Sequence, residues 1–419
     1  EICLSDWSSD VCSSDLVTIY WGDARWNLSL PITAGMTPTQ IAAAIVSEMA
    51  GKTSFPYVVT NVAGKLVMTA KNGGTVGNHL APVYNWAGWL DYAPAGVSFG
   101  AVTRTTAGSG NPAPIDYAAA LGTCCYTCYA LGTDDPVWQE GLRQFLDSRW
   151  DCEKPQCFGH GFTYNTGSLG QVLATWDNQA TLSSMARPVN PRTLPYLDLA
   201  GQVALRCCRA CEHPEISIQG PDYGNLSCVR SPMTCTTEWT EDEMVQLGEL
   251  GFTVLIPSQG GQGGLTSQYV RADTTRYVYD ENNRRNITWR DVNSRYMDAV
   301  VANQFGEFLK KYNGMALATR NTKIRIGVKA TTINMVTADI VAHFKRQVGL
   351  TISEFDDPNR DITVMTDEDK TGACFGKPGV IYVRVQYQRL NRIVGFYGDL
   401  EPKMFDNCDR TFGSFGLNV

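Results

Sequence analysis

The sequence predicts a multidomain protein that combines an α/β fold with α+β domains. Its 419 residues are enough for two or three domains of ordinary size. A hydrophobic content of 43% and a charged content of 18% are typical of a chain that buries a core. Strand-like and helix-like segments alternate through the middle of the chain, which favours a mostly parallel sheet there. Short strands and single helices at both ends favour α+β modules.

Residues 17–104 are predicted to form a small outer α+β domain with the element order ββαββ. Two strand-like runs between residues 18 and 30 precede a helix start at Thr37. Thr37 is followed directly by Pro and three residues later by Gln40, which is the pattern of a capping box. Alternating apolar and polar side chains at residues 57–70 then predict a β-hairpin.

A loop rich in Gly, Ser, Thr and Pro marks the start of the second predicted domain, residues 105–265. Asp135 is followed by Pro136 and opens one helix, and Thr240 with Glu243 forms a second capping box. These helices alternate with apolar strand-like runs. We therefore predict an α/β domain with helices on both faces of a mostly parallel sheet.

The rest of the chain is predicted to be a C-terminal α+β domain, residues 266–390, followed by an arm and tail, residues 391–419. Apolar residues at helical spacing predict a helix of about 20 residues that starts near Val292 and ends at Asn313-Gly314. A second helix and several strands follow it. The predicted strands are residues 362–365, 380–387 and 392–397.

Composition argues against several classes of protein. The chain has 42 acidic and 35 basic residues, and a net charge of −7 is the wrong sign for a protein that mainly binds phosphate backbones. No apolar stretch reaches the roughly 20 residues of a membrane-spanning helix. Fourteen cysteines are too dilute for a small disulfide-stapled domain. We therefore expect no nucleic acid partner, no membrane insertion and reduced thiols.

The first sixteen residues differ from the rest of the chain. They contain Ser-Ser-Asp twice and lack the basic and apolar regions of a signal peptide. The stretch DVCSSDL matches the translation of a common sequencing-adapter oligonucleotide. We therefore expect residues 1–16 to be an artefact of sequence assembly and the native start of the chain to be missing.

Histidines are too few, and too poorly placed, to predict a hydrolase. A Ser-His-Asp enzyme needs a histidine base and a turn that presents its serine, and the chain has no G-x-S-x-G motif. We therefore expect no catalytic residues and no enzymatic activity. The four histidines are His79, His160, His213 and His343.

Two cysteine elements share the spacing CCxxC, and paired CxxC elements are able to supply four thiolates to a zinc ion. The first element lies on a predicted core strand, whereas zinc-binding pairs usually lie in tight turns. Free cysteine is also among the most buried residue types. We therefore favour buried free thiols and no metal. The ligands of the zinc alternative are Cys125, Cys128, Cys208 and Cys211.

A glycine-rich run at residues 260–264 follows a strand-like segment, as phosphate-binding loops do. The residues after it alternate like a second strand and contain no Gly-Lys-Thr or Gly-Lys-Ser. A hairpin turn is therefore predicted there in place of a phosphate site. Acidic clusters at residues 356–357 and 367–369 lack EF-hand spacing and are expected to be solvated.

An ordered set of motifs resembles the contractile tail sheath proteins of myophages. The set runs from Gly251 through Gly260-Gly261 to an R-x-x-T-T run at residues 271–275, and then to a long helix opened by Asp291. The module of residues 37–78 and the last two predicted strands also resemble parts of that family. The resemblance covers nearly all of the chain after residue 16. It rests on the order of the motifs along the chain.

The resemblance implies a fold and a domain plan. It implies a central subtilisin-like α/β domain that is not catalytic, a small protruding ββαββ domain inserted ahead of the core, and a C-terminal α+β domain with a strand-exchange arm. Compared with the family, we expect the N-terminal arm to be missing from this sequence. Residues 401–419 extend past the usual arm, and their role stays open.

The resemblance also implies a function. Sheath subunits stack as six-fold rings around a tail tube and contract to drive the tube through the host envelope. The implied partners are further copies of the chain, the tube protein, and baseplate and terminator proteins, with no cofactor. The implied location is the virion tail, assembled in the bacterial cytoplasm. The runner-up within the same class is the sheath of an R-type bacteriocin or another contractile injection system, which the sequence does not separate from a phage sheath. The alternatives from a different class are an inactive hydrolase-like module and a zinc-binding module.

Strand exchange joins such subunits, because an extended arm is able to complete the sheet of a neighbouring copy through main-chain hydrogen bonds. The two final strand-like segments are the candidates for this role. The residues expected to take part are Val380, Tyr382, Arg384, Gln386, Arg392, Ile393, Val394, Phe396 and Tyr397.

Overall fold

A computed structural model describes most of the chain and divides it into two compact units. The described residues are 16–21, 24–79, 82–84, 94, 96–100, 102–103, 106–150, 157–189, 194–212, 239–257, 268–270, 273–286, 288–355, 361–366, 369 and 379–389. The first unit comprises Glu1–Pro214 and Ile218–Asn303, and the second comprises Glu215–Ser217 and Gln304–Val419.

Helices and short strands alternate along both units. The helices of the described residues are α1 (Pro38–Ala50), α2 (Tyr117–Leu121), α3 (Pro136–Arg149), α4 (Leu169–Ala174), α5 (Pro195–Glu212), α6 (Glu241–Glu249), α7 (Val292–Leu309) and α8 (Ile333–Gln347). The strands are β1 (Leu16–Tyr20), β2 (Leu28–Pro31), β3 (Tyr57–Val62), β4 (Lys65–Ala70), β5 (Val83–Tyr84), β6 (Cys128–Ala130), β7 (His160–Thr166), β8 (Leu182–Arg187), β9 (Leu255–Pro257), β10 (Gln268–Val270), β11 (Ala316–Ala318), β12 (Ala330–Thr332), β13 (Ile352–Glu354), β14 (Ile362–Met365), β15 (Tyr382–Val385) and β16 (Gln388–Arg389). Within the described part of the chain, none of these helices is long and apolar enough to cross a bilayer.

The N-terminal part of the first unit has the predicted order ββαββ. β1 pairs antiparallel with β2 and β5, and β3 forms an antiparallel hairpin with β4. The capping box predicted at the start of α1 is present, since Thr37 and Gln40 each accept the backbone N–H of the other. Trp21 and Trp26 pack edge-to-face on Phe55, with ring centroids 5.1 and 5.4 Å away. Local capping and a shared aromatic core therefore build this module.

A parallel sheet in the order β6-β7-β8 lies in the middle of the first unit. Thr253 extends the sheet by a parallel bridge to Met185, with its N–H donating to the Ser184 carbonyl at 2.8 Å. α5 packs on the face that carries Phe162 and Met185, and α3 packs on the opposite face against Leu182. The predicted parallel sheet with helices on both faces is confirmed.

Two further predicted features of the first unit are confirmed. The Thr240–Glu243 capping box opens α6, and Leu247 of that helix is completely buried. β9 and β10 pair antiparallel, so the chain between them connects a hairpin as predicted for the glycine-rich run. Residues 260–264 themselves lie outside the described residues.

Small sheets and α8 make up the described part of the second unit. β11 pairs parallel with β12, while β14 pairs with β15 and β13 with β16 in antiparallel fashion. Phe308, on the end of α7, lies 4.4 Å from the His343 ring of α8, and Phe305 lies 5.4 Å from Phe344. The predicted helical faces thus meet around an aromatic cluster.

The structure confirms the coarse fold class, a mixed α/β and α+β protein with several small sheets. The division between the two units falls inside α7, between Asn303 and Gln304. The domain boundaries predicted after residues 104, 265 and 390 stay predictions. β1 begins at Leu16, the last residue of the segment expected to be an artefact, and residues 1–15 lie outside the described residues.

Candidate functional site

The predicted exchange segment begins in a two-stranded sheet of the second unit. β15 pairs antiparallel with β14, which places Tyr382 opposite Met365 and Val385 opposite Ile362. α8 packs against β14, and Ile362 is buried while Arg384 is exposed. Among the described residues, β15 has no neighbouring strand on its other side. The sheet therefore has an edge along which another strand is able to pair.

The observed strand is shorter than the predicted one. Val380 precedes β15, and the Gln386 N–H just after it donates to the Asp361 carbonyl at 2.8 Å. Tyr387 then packs near Phe344, with ring centroids 6.0 Å apart, and the chain enters β16 beside β13. The predicted strand over residues 380–387 is therefore confirmed in part, at Tyr382–Val385, and β16, which pairs with β13, begins after that segment ends. Arg392, Ile393, Val394, Phe396 and Tyr397 lie outside the described residues.

The first CCxxC element lies mostly outside any strand. β6 begins at Cys128, and Cys124 and Cys125 precede it and are exposed. The Cys124 N–H is held by the Leu121 carbonyl at 3.0 Å, in the turn that ends α2. The prediction that this run is a buried core strand is wrong, because the helix end occupies the residues that the strand would need.

Cysteines of different elements pair in ways that their spacing does not predict. The Cys128 sulfur lies 2.8 Å from the Tyr296 hydroxyl, and Cys128 and Cys207 of α5 pack against the same core. Hydrogen bonding with Cys207 is the largest cause that lowers the pKa of Cys128. Burial raises the pKa of Cys157 to about 11, and hydrogen bonding with Cys125 adds to the effect. Cys125 and Cys128, which the zinc alternative groups in one site, thus have different partners.

Among the described residues, the structure does not group the predicted zinc ligands Cys125, Cys128 and Cys208. Cys208 is exposed, so the expectation that the thiols are buried is also wrong for this residue. The Cys211 side chain lies outside the described residues. No three His, Cys, Asp or Glu side chains in the described part of the chain are grouped as metal ligands.

The contact of Cys207 with the sheet was detectable from helical spacing. Leu199, Val203 and Cys207 recur every four residues on α5, and all three contact the core formed with β7 and β8. Cys208 is rotated away from this stripe by one residue. Helical period, applied to the second CCxxC element, therefore selects Cys207 over Cys208.

One histidine contacts a serine, yet the pair lacks the environment of a nucleophile. His160 Nε2 lies 2.8 Å from Ser183 Oγ, and these residues are only 1% and 2% exposed. Burial, together with the charges of Arg295 and Arg206, holds the pKa of His160 well below its usual value. The other ring nitrogen of His160 has no hydrogen-bond partner among the described residues, so none of them orients the ring as a base.

The other described histidines have structural contacts. His79 lies 3.5 Å from Asp134 and contacts the ring of Tyr164. His343 packs on Phe308, and burial lowers its pKa, with the nearby cations Arg346 and Lys311 adding to the effect. His213 lies outside the described residues.

Buried ion pairs fix α5 in place. Asp198 lies 3.2 Å from Arg187 of β8, and neither side chain is exposed. Arg206, two turns later on α5, pairs with Asp273 and stacks on Phe162 at 4.6 Å. A helix with an acid and a base on its buried face packs in only one register, because any shift leaves buried charges without their partners.

Asp273 belongs to the R-x-x-T-T run, whose described residues 273–275 are buried in the core. Thr274 and Thr275 are buried, and the Thr275 N–H donates to the Arg290 carbonyl at 2.6 Å. Gly251 has a φ of +80° and lies so close to the Thr275 carbonyl that a Cβ atom would collide with it. The motif residues are therefore packing residues, and the first glycine is required by backbone conformation.

No protein-family model and no curated protein matches this chain. Solved structures to which it is similar include a sheath tail protein from Desulfitobacterium hafniense, at 12% identity and a TM-score of 0.43 over 91% of this chain and 74% of the other. A sheath tail protein from Listeria innocua is also 12% identical, with a TM-score of 0.37 over 80% of this chain and 82% of the other. A chain of the anti-feeding prophage baseplate is 11% identical, with a TM-score of 0.36 over 66% of this chain and 69% of the other.

Proposed function

We propose that the chain is the subunit of a contractile tail sheath. The observation that carries the proposal is the open edge of β15, in a sheet that has two strands among the described residues. A two-stranded sheet is marginal by itself. The strand-like residues 392–397 follow shortly after it in the sequence. Given to a neighbouring copy, such a segment completes that copy's sheet through main-chain hydrogen bonds.

Exposed side chains leave the edge accessible to a neighbour. Val380, Arg384 and Gln386 are exposed on β15 and its flanks. An open strand edge is an aggregation hazard in a protein that works as a monomer. In a subunit that polymerises, the same edge is a docking element.

The polymer we propose consists of six-fold rings stacked around a tail tube, within the virion tail built in the bacterial cytoplasm. Its partners are further copies of the chain, the tube, and baseplate and terminator proteins. Contraction requires units that keep their internal packing while they move as rigid bodies. We propose that the middle domain is subtilisin-like. Its buried pairs Arg187–Asp198 and Arg206–Asp273 give it such internal rigidity. The role is structural and not enzymatic.

Electron microscopy of the purified full-length chain tests the proposal. We expect long hollow tubes whose rings have six-fold symmetry. Size-exclusion chromatography should show assembled protein in the same sample, with a concentration-dependent distribution. Compact monomers at every concentration, particularly with stoichiometric zinc, would refute the sheath function.

A further inference from the structure

A surface turn of the second unit concentrates positive charge in a chain that is acidic overall. Between residues 308 and 338 the sequence contains six lysines and arginines and no aspartate or glutamate, although the whole chain has a net charge of −7. Three of the six, Lys310, Lys311 and Arg320, form ion pairs with Glu307, Asp339 and Asp369. The other three, Lys323, Arg325 and Lys329, are exposed and have no ion-pair partner among the described residues.

Exposed apolar side chains lie in the same segment, residues 323–329, which we call the basic turn. The Val328 N–H donates to the Arg325 carbonyl at 3.2 Å, and Gly327 has a φ of +90°, so the chain reverses tightly there. Ile326, at the tip, is completely exposed, and Val328 is 58% exposed. Turn tips usually carry glycine or small polar residues. An isoleucine between cations at such a tip adds nothing to the core of its own chain and favours contact with another molecule.

The composition of the basic turn selects the class of partner. The turn contains no aromatic side chain on which a nucleobase stacks. Three cations and one apolar tip are also too few for stable membrane anchoring, since each cation beside an anionic bilayer contributes only about 1 kcal/mol. A protein surface that combines carboxylates with an exposed apolar side chain matches both features of the turn.

The first unit has such a surface on α6. Asp242, Val245 and Glu249 are at positions i, i+3 and i+7, so they share one face of the helix. All three are exposed, and the two acids lie about 10 Å apart along the helix axis with the valine between them. Neither acid has an ion-pair partner among the described residues. On α3, by contrast, the two carboxylates that flank Arg143 already bind its guanidinium.

We propose that the basic turn of one copy docks on this face of α6 in a second copy of the chain. The carboxylates of Asp242 and Glu249 bind the cations of the turn, and Ile326 packs on Val245. The contact joins two different surfaces, and such a contact propagates into rings or filaments instead of closing a dimer. The proposal rests on the self-assembly of the proposed function, but it does not use the open edge of β15.

Cross-linking of the purified full-length chain tests the contact directly. Unlabelled and nitrogen-15-labelled chains are mixed at about 1 M salt, which screens exposed charges, and are then dialysed to about 0.05 M salt. A carbodiimide then joins neighbouring amines and carboxylates without a spacer. We expect linked peptides that connect Lys323 or Lys329 to Asp242 or Glu249, with one peptide labelled and the other unlabelled. Links in which both peptides always carry the same label would place the contact within one chain and overturn the proposal.

Charge reversal gives variants with an internal rescue. Arg325→Glu and Glu249→Lys should each raise the concentration at which half of the chain is assembled, by about tenfold or more, because each brings like charges together. An equimolar mixture of the two variants should restore assembly, since each altered surface then meets a complementary one. Lys310→Glu is the matched control, because it makes the same change of charge at a lysine that already pairs with Glu307 in its own chain. Sedimentation velocity at low salt measures all four samples.

The outcomes separate this contact from the sheath function. Tubes without the mixed-label link would overturn the contact and leave the sheath function intact. Mixed-label links in small oligomers, without tubes, would support the contact and count against the sheath function, whereas monomers at every concentration would overturn both. If the mixture of folded variants fails to assemble, or if Lys310→Glu weakens assembly as much as Arg325→Glu does, the proposed contact is wrong.

Discussion

Charged and polar side chains of the first unit are buried at places where an apolar core would be expected. Arg187 and Asp198 form one ion pair with no exposed side-chain surface, and Arg206 with Asp273 forms another. Such pairs add little net stability, because both charges lose their hydration, but removing one partner costs about 3–5 kcal/mol. What these ion pairs do here is hold α5 in a single position on the sheet.

His160 gives the folded protein a dependence on pH. Burial holds its pKa well below the ordinary value of 6.5, with Arg295 and Arg206 adding to the effect. Below pH 6.5 the unfolded chain binds a proton that the folded chain does not, so this residue's contribution to stability is complete above pH 6.5 and is lost as the pH falls further. The loss approaches about 1.4 kcal/mol per pH unit.

We expect the variant His160→Gln to lose less of its free energy of unfolding at low pH than the wild type does. Glutamine keeps an amide near Ser183 but does not titrate, and all other titrating groups are common to both proteins. Urea unfolding at about pH 7.5 and about pH 5.5 should show a smaller fall in the free energy of unfolding for the variant than for the wild type. Equal falls in the two proteins would show that His160 is not the group responsible.

At the scale of secondary structure, the elements with local signals are those that the sequence predicts well. The capping boxes at Thr37 and Thr240 and the N-cap at Asp135 mark the observed helix starts. These signals need only a side chain and the backbone within one turn. The strands β6 and β15 were predicted too long, because strand ends depend on which partner strand is present.

The β3–β4 hairpin turns through Ala63 and Gly64, and both have positive φ, at 52° and 82°. A two-residue turn of this kind favours Asn-Gly, since asparagine tolerates the left-handed conformation better than alanine. We expect Ala63→Asn to stabilise the hairpin by about 0.5 kcal/mol. Gly64→Ala should destabilise it by about 1–2 kcal/mol, because its new Cβ would also lie 3.2 Å from Pro38 Cβ.

Hydrogen exchange of peptides from the hairpin measures both changes locally. Slower exchange than the wild type is expected for Ala63→Asn and faster exchange for Gly64→Ala. The two substitutions are adjacent in the sequence and their expected effects on hydrogen exchange are opposite in sign, so each is a control for the other. Changes of the same sign would contradict the assignment of this turn.

At the scale of the whole molecule, we expect assembly to depend on residues 391–419, which contain the proposed exchanged strand. Deleting them should abolish tubes in electron micrographs, because the open edge of β15 then has no strand to receive. The first unit should stay folded, since its described core uses no residue of this segment. Circular dichroism with thermal unfolding measures that second part.

A shorter deletion, of residues 401–419, is the matched control. It leaves residues 392–397 in place, so we expect tubes to form. Tubes formed by the longer deletion would refute the exchanged-strand role. Loss of tubes in both deletions, with the first unit folded, would show that assembly depends on the final nineteen residues.

The sequence by itself determined the class of the fold, the helix starts, the β3–β4 hairpin and the family resemblance. These depend on periodicity, capping and the order of motifs along the chain. Only the tertiary structure decided that Cys128 meets Tyr296, that His160 meets Ser183 and that the buried arginines meet their aspartates. The physical reason is that these partners lie on different elements, which meet only when β7 pairs with β8 and α5 packs on the sheet. A side chain that looks solvated in a sequence becomes a core residue when a second element covers it.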